Sequence, residues 1–228
     1  MPTGGTLKNL SGGSEETAAS IDATGKDLTL SNDETTEFNG SITAASIEKT
    51  GDGKLQLNTG ETGMINVQSL TVSAGQLDLQ GNTSCGVTVN PGKVFSPGDP
   101  IGTATVGGEF KLDSGATLLL EQDANNGMDL LRASSFDVAS GTIDLDLGDI
   151  LPGMTYPIIQ NTSGDFGQDY GTDFWTSLLV PSDLYYWNLS VLGDTVYATI
   201  DANAVPEPAA WLMLLLGAFG LMYWRKRK

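Results

Sequence analysis

Few side chains in this sequence are suited to catalysis, because its 228 residues include no histidine and a single cysteine, Cys85. Without an imidazole, a Ser-His-Asp triad is excluded and the Cys85 thiol has no base to activate it. A Cys/His zinc site and an internal disulfide are excluded for the same reason. The chemistry that remains is that of carboxylates, which act in pairs on glycosidic bonds or bind Ca²⁺.

The clearest carboxylate pair is in the segment TIDLDL, where Asp144 and Asp146 are two positions apart. In a strand this spacing places both on one face, where they could bind Ca²⁺ or simply keep that face hydrated. Arg132 is the only arginine before residue 225, and no acidic cluster surrounds it in the sequence. We therefore expect no catalytic residue, no metal and no cofactor. Ca²⁺ binding, and a polysaccharide lyase or hydrolase activity, remain as alternatives.

Aromatic residues form the second group of candidates. Residues 1–148 contain no Trp or Tyr, whereas residues 151–200 are rich in both. Aromatic rings in such a cluster stack on sugars or fill a core. The residues that we consider for sugar stacking are Trp175, Tyr185, Tyr186 and Trp187.

The charge of the chain is strongly negative. Four of the 11 basic residues are at 225–228, so residues 1–224 carry the other 7 against all 28 acidic residues, formally −21. Such a chain does not bind the phosphate backbone of nucleic acid, and its acidity favours a hydrated, soluble surface.

A repeated unit, Gly-x-apolar-x-apolar, predicts the elements that position these residues. In GKLQL (53–57) and GQLDL (75–79) the leucines share one face, as in a half-buried strand entered through a glycine. The two copies begin 22 residues apart, which favours a solenoid coil with more than one strand per turn over an antiparallel sandwich. The glycines that begin the units are Gly40, Gly53, Gly63, Gly75, Gly102, Gly108 and Gly141.

Residues 47–81 resemble the strand repeat associated with autotransporter passenger domains. The resemblance is carried by Lys49, Gly51, Gly53, Leu55 and Leu57, and one coil later by Gly75, Leu77 and Leu79. It implies an all-β fold, a right-handed parallel β-helix. We predict an irregular or truncated start at 1–24, solenoid repeats at 25–148, and a β-rich aromatic cap at 149–200 that closes with a hairpin.

The C-terminal segment predicts a single transmembrane helix at 209–224, after a Pro-rich linker at 201–208. Its 16 uncharged residues span about 24 Å as a helix, to which flanking cations and local thinning of the bilayer add reach. The basic end at 225–228 is expected in the cytoplasm, so the body lies outside it. The anchor residues are Trp211, Leu214, Leu215, Leu216, Gly217, Gly220, Tyr223 and Trp224, and the basic residues are Arg225, Lys226, Arg227 and Lys228.

This tail resembles the PEP-CTERM sorting signal: Pro206, Glu207 and Pro208 are followed by an apolar helix and a basic cluster. The resemblance implies processing by an exosortase, a membrane-embedded protease that cuts near the Pro-Glu-Pro motif. We expect an exported, non-catalytic protein, held in the membrane and then placed on the cell surface or in the extracellular matrix. The alternative is an adhesin or a polysaccharide-binding module.

Overall fold

The computed structural model describes residues 4–14, 18–60, 63–123, 127–147, 153–166, 170–180 and 187–200. Within them the chain forms 17 β-strands and one short helix. The elements are β1 (Gly5–Lys8), β2 (Ala19–Ser31), β3 (Thr36–Thr50), β4 (Lys54–Asn58), β5 (Ile65–Asn66), β6 (Ser69–Val72), β7 (Gln76–Thr83), β8 (Val87–Val89), β9 (Val94–Ser96), β10 (Thr103–Leu112), β11 (Thr117–Asp123), β12 (Gly127–Met128), β13 (Leu130–Asp137), β14 (Thr142–Leu147), β15 (Thr155–Asn161), α1 (Thr172–Leu178), β16 (Trp187–Leu192) and β17 (Thr195–Ile200).

The strands pair in parallel from coil to coil, which confirms the predicted all-β solenoid; it has about 6 turns. Two sheets line the coil. Sheet A contains the pairings β1–β2–β3, β3–β6–β8–β10 and β10–β13–β15. Sheet B follows β3–β4–β7–β9–β11–β14. Residues one coil apart are therefore direct neighbours in space.

Columns of apolar side chains form the core between the sheets. In sheet B, Leu55, Leu77, Phe95, Leu118 and Ile143 occupy successive positions of one column. Each is at most 2% exposed. Full burial of such a side chain stabilises a fold by roughly 1.5–3 kcal/mol, so the column is a principal source of stability.

One core column contains a lysine. Leu30, Lys49, Val72, Val89 and Leu112 are paired in register through sheet A. Lys49 is 0% exposed, and its Nζ donates to the carbonyl oxygens of Gly51 (2.6 Å), Gly53 (2.7 Å) and Ala74 (3.0 Å). Burial lowers the pKa of Lys49 to about 8, against the opposing effect of nearby Asp52 and Asp33.

The end of the solenoid is closed by a cap that contains a helix as well as strands. Strand β15 continues sheet A, and β17 and β16 add to it as an antiparallel hairpin. Helix α1 was not predicted from the sequence, which indicated only that the cap is rich in β-strands. Its residues Trp175 and Leu178 are buried, and because they are three residues apart they lie on one face of the helix. The helix is too short for this spacing to stand out in the sequence.

Two further predictions concern the ends of the chain. Residues 1–24, expected to be irregular, include β1 and the first part of β2, because parallel pairing to the next coil satisfies their backbone groups. Among the residues that the structure describes, no helix is long and apolar enough to cross a membrane. The predicted transmembrane helix, the Pro-Glu-Pro motif and the basic end lie outside the described residues.

Candidate functional site

The aromatic residues considered for sugar stacking do not form an open platform in the described part of the structure. Trp175 is 0% exposed; its indole packs edge-on against Phe136 and Phe166 and donates to the Tyr170 carbonyl oxygen at 3.1 Å. Trp175 therefore fills the core, as one of the two predicted roles requires, and its sugar-stacking alternative is excluded because a ring enclosed on both faces has no surface left for a sugar. Trp187 begins β16 and is partly buried. Tyr185 and Tyr186 lie outside the described residues.

A polar groove, which we call the amide groove, runs along the solenoid where each coil passes from sheet B to sheet A. It encloses about 1010 Å³. The residues that line it are Ser14, Ala18, Asn39, Gly40, Asn58, Thr59, Gly60, Gln80, Gly81, Asn82, Ile101, Gly102, Thr103, Thr105, Met128 and Arg132.

One wall of the amide groove is a ladder of side-chain amides. Asn39 pairs with Asn58, and Asn58 with Gln80, in the parallel ladder of sheet B. The sequence repeats this arrangement because the sheet B part of each strand closes with an apolar residue and an amide, followed by a nearby glycine: FNG, LNTG and LQG. Adjacent strands are about 4.8 Å apart, so the amides repeat at that interval.

The opposite wall begins the next stretch of sheet A. Asn82 pairs with Thr105, and Thr105 with Arg132, again one residue per coil. The backbone between the walls lies close to the neighbouring coil. A Cβ added at Gly40 would lie 2.0 Å from the Ala19 carbonyl oxygen, and one at Gly81 would lie 1.9 Å from Thr59 Oγ1. Glycine is therefore favoured at both positions, because successive coils approach each other closely there.

Among the described residues, two polar atoms at the amide groove have no hydrogen-bond partner. Asn39 is 9% exposed; its Nδ2 donates to Glu37 Oε1 at 2.8 Å, but its Oδ1 is buried without a hydrogen bond. Arg132 is partly buried, and its Nε also has no hydrogen-bond partner. An unpaired buried polar group destabilises a fold by about 1–3 kcal/mol, so each of these atoms is unfavourable in the folded chain.

A carboxylate cluster adjoins the amide groove on the outer face of sheet B. Lys54 Nζ lies 3.1 Å from Asp78 Oδ2 and 2.5 Å from Asp99 Oδ2. The Gln56 amide also donates to Asp99. Burial lowers the pKa of Lys54, but its bonds and charges with Asp99 and Asp78 outweigh this and raise it. A smaller concavity of about 200 Å³ lies here and shares Asn58 and Gln80 with the groove.

The carboxylate of Asp129 lies behind loop 97–102, which covers part of this face. It is 0% exposed and accepts hydrogen bonds from the backbone N–H of Gly102 (2.7 Å), the backbone N–H of Glu121 (3.0 Å) and Ser96 Oγ (3.3 Å). With Lys54 holding Asp99, these contacts attach loop 97–102 to sheet B. The cluster therefore has a clear structural role.

Three acids of this region have raised pKa values. Burial is the main cause for each: it raises the pKa of Asp78 to about 6, of Asp129 to about 6 and of Glu121 to about 7. For Glu121 the negative charges of Asp129, Asp99 and Asp78 add to the effect. Its Oε2 is buried without a hydrogen bond. These acids carry protons more readily than exposed ones.

Metal binding has no ready-made centre in the described part of the chain, where no group of three His, Cys, Asp or Glu side chains could hold an ion. Asp144 and Asp146 lie in β14, the first partly buried and the second exposed. The Ca²⁺ alternative at this pair stays a prediction.

Comparison with known families identifies the tail. Residues 204–228 match the family model of the PEP-CTERM protein-sorting motif. The chain carries a PEP-CTERM sorting signal. This signal implies export, sorting to the cell surface and processing by exosortase. No curated protein matches the sequence.

The PEP-CTERM match covers the tail alone, so the resemblance of residues 47–81 to autotransporter-associated repeats stays a prediction. The amide groove was not anticipated from the sequence. Its signal was present as an amide placed before a glycine where the sheet B part of successive strands ends.

Proposed function

We propose that this chain is an exported, non-catalytic β-solenoid protein that a C-terminal helix holds in the membrane until exosortase cuts near Pro206-Glu207-Pro208. The product is then placed on the cell surface or in the extracellular matrix. The observation that carries the proposal is the match of residues 204–228 to the PEP-CTERM sorting motif.

The arrangement of body and tail supports this order of events. Strand β17 ends at Ile200, which is 1% exposed and belongs to the folded cap. Only residues 201–205 separate it from Pro206. Proline disfavours helix at and before its position, so we expect around this motif the extended backbone that a protease binds. Cleavage there would release a body that already has its complete cap.

The non-catalytic part of the proposal is supported by the chemistry of the body. Histidine is absent from the sequence. The buried Asp129 carboxylate accepts three hydrogen bonds from its own chain, and Lys54 is paired with Asp78 and Asp99. Groups engaged in this way stabilise loop 97–102. Release of unsaturated or reducing sugars from polysaccharides by the purified chain would contradict this part.

The sorting proposal is tested by following the C-terminus in an exosortase-containing host. The chain is given an export signal and a C-terminal epitope, and a triple variant replaces Pro206, Glu207 and Pro208 with alanine. We expect the unaltered chain to lose the epitope and leave the membrane fraction, and the variant to keep both. Asn203→Ala, just outside the matched motif, is the control and should be processed normally. Retention of the epitope by the unaltered chain would contradict the proposal.

A further inference from the structure

We propose that the amide groove binds an extended, neutral oligosaccharide along the solenoid axis, between the ladder of Asn58 and Gln80 and the facing wall of Asn82 and Arg132. This goes beyond sorting, because it assigns a binding activity to the body itself. It also differs from the aromatic platform considered as an alternative from the sequence. The groove residues lie on the coils, not in the cap.

The polar groups of the groove fit sugar hydroxyls. Side-chain amides and hydroxyls each donate and accept hydrogen bonds, as sugar hydroxyls do. The amides of Asn39, Asn58 and Gln80 repeat once per coil in strand register. A site that repeats at a constant interval fits a ligand that is itself a repeating polymer.

The charge of the groove indicates that this polymer is neutral. The whole chain contains 28 acidic residues, yet none of the described residues lining the groove is acidic, and Arg132 is their only charged side chain. The adjoining concavity is lined by Glu37, Asp78 and Asp99, which would repel a polyanion. One guanidinium beside these acids does not make a site for an acidic chain. Arg132 can instead donate to neutral hydroxyls.

The lining of the groove is mainly polar. Asn39 Oδ1 and Arg132 Nε, on two of its residues, are among the buried atoms without hydrogen bonds in the described part of the chain. Buried polar groups are nearly always paired in folded proteins. Apolar lining is limited to small stretches such as Ile101 and Met128, so a lipid or a hydrophobic peptide would leave the amides unpaired.

Binding is measured with the full chain, purified in a detergent without a sugar headgroup, on a panel of immobilised oligosaccharides. The neutral probes are hexasaccharides of β-1,4-glucan, β-1,3-glucan and α-mannan, and the acidic probe is a hexamer of galacturonate. We expect at least one neutral hexasaccharide to be retained. The disaccharide of the same sugar should bind at least about 10-fold more weakly, because it spans fewer coils.

Two substitutions test the location. Gln80 is exposed, and no hydrogen bond of the Arg132 side chain is present in the described residues, so Gln80→Ala and Arg132→Met should preserve the fold. Each should weaken retention about 5-fold, as expected for the loss of one or two hydrogen bonds. Thr71→Ala, on sheet A away from the groove, is the matched control. Unchanged thermal unfolding will show that each variant is folded.

Three results would overturn the proposal: no neutral probe is retained, only the galacturonate hexamer is retained, or the groove variants bind as the unaltered chain does. Because binding is measured on purified protein, its outcome does not depend on processing at the tail. Failure of binding and failure of sorting are therefore distinguishable.

Discussion

A buried ammonium is the most unusual single residue of the molecule. Lys49 occupies a column position where the coils before and after have Leu30 and Val72. Its hydrogen bonds join the turn at Gly51 and Gly53 to Ala74 in the following turn. The amine thus connects two successive coils at their corner. A leucine at this position could not make these hydrogen bonds.

Replacing this lysine should destabilise the fold even though the column is apolar. Lys49→Met keeps the length of the side chain but leaves the carbonyl oxygens of Gly51 and Ala74 without their donor. We expect the free energy of unfolding to fall by about 2–3 kcal/mol, the effect of orphaned buried acceptors. Urea unfolding measures it, with Lys93→Met, in a later turn, as control. Equal or greater stability of Lys49→Met would contradict this role.

Glu121 is a residue whose charge should reduce stability. Burial and neighbouring carboxylates raise its pKa to about 7, and its Oε2 is buried without a partner. Glu121→Gln removes the charge, so it should raise the free energy of unfolding by on the order of 1 kcal/mol at about pH 7.5. The gain should vanish at about pH 4, where Glu121 is protonated in both states. The exposed Glu109→Gln is the control, and an equal effect there would contradict the explanation.

At the scale of elements, the corners of the coil depend on close backbone approach. Gly75 has φ +64°, and a Cβ there would lie 2.3 Å from the Gly53 carbonyl oxygen and 2.7 Å from Lys49 Nζ. Gly92, in the next turn of the same kind, has φ +71° but open space around it. Comparing substitutions at the two glycines therefore distinguishes the effect of a left-handed backbone from the effect of steric crowding.

Alanine at these two positions should have unequal effects. Gly92→Ala incurs only the left-handed backbone penalty, about 1–2 kcal/mol. Gly75→Ala adds a clash with backbone and with the bound ammonium, so we expect it to lower the free energy of unfolding by at least about 2 kcal/mol more. Chemical unfolding of both variants gives the difference. Equal losses would show that crowding at the corner of the coil is unimportant.

The elements also show what the sequence could predict. The leucines at 55, 57, 77 and 79 are buried as their alternation indicated, because the period of a strand is a local property. Lys49 was missed as a core residue because a lysine in such a pattern normally faces water. The amide groove was missed because it exists only when FNG, LNTG and LQG stack in register. Helix α1 was hidden because seven residues give too short a helical pattern.

At the scale of the whole molecule, the net charge of −17 and the raised pKa values both favour higher stability at lower pH. Folding raises the pKa of Asp78 and of Asp129 from 3.8 to about 6, and the pKa of Glu121 from 4.5 to about 7. Between these values the folded chain holds protons that the unfolded chain has already lost. Stability from these groups is therefore present below about pH 4 and is lost as the pH rises to about 7.

We expect the thermal unfolding midpoint to be higher at about pH 5 than at about pH 7.5, opposite to the usual acid sensitivity of carboxylates that are ion-paired. Two effects contribute to this pH dependence: repulsion between exposed charges, and the unfavourable burial of the charged forms of Asp129 and Glu121. About 0.5 M NaCl screens the first effect but not the second. Scanning calorimetry at both pH values, with and without salt, measures the difference in unfolding midpoint. Salt should reduce this difference but not abolish it. Glu121→Gln should reduce the part that persists. A midpoint that rises steadily from about pH 5 to 7.5 would mean that ion pairs such as Lys54 with Asp78 dominate over burial.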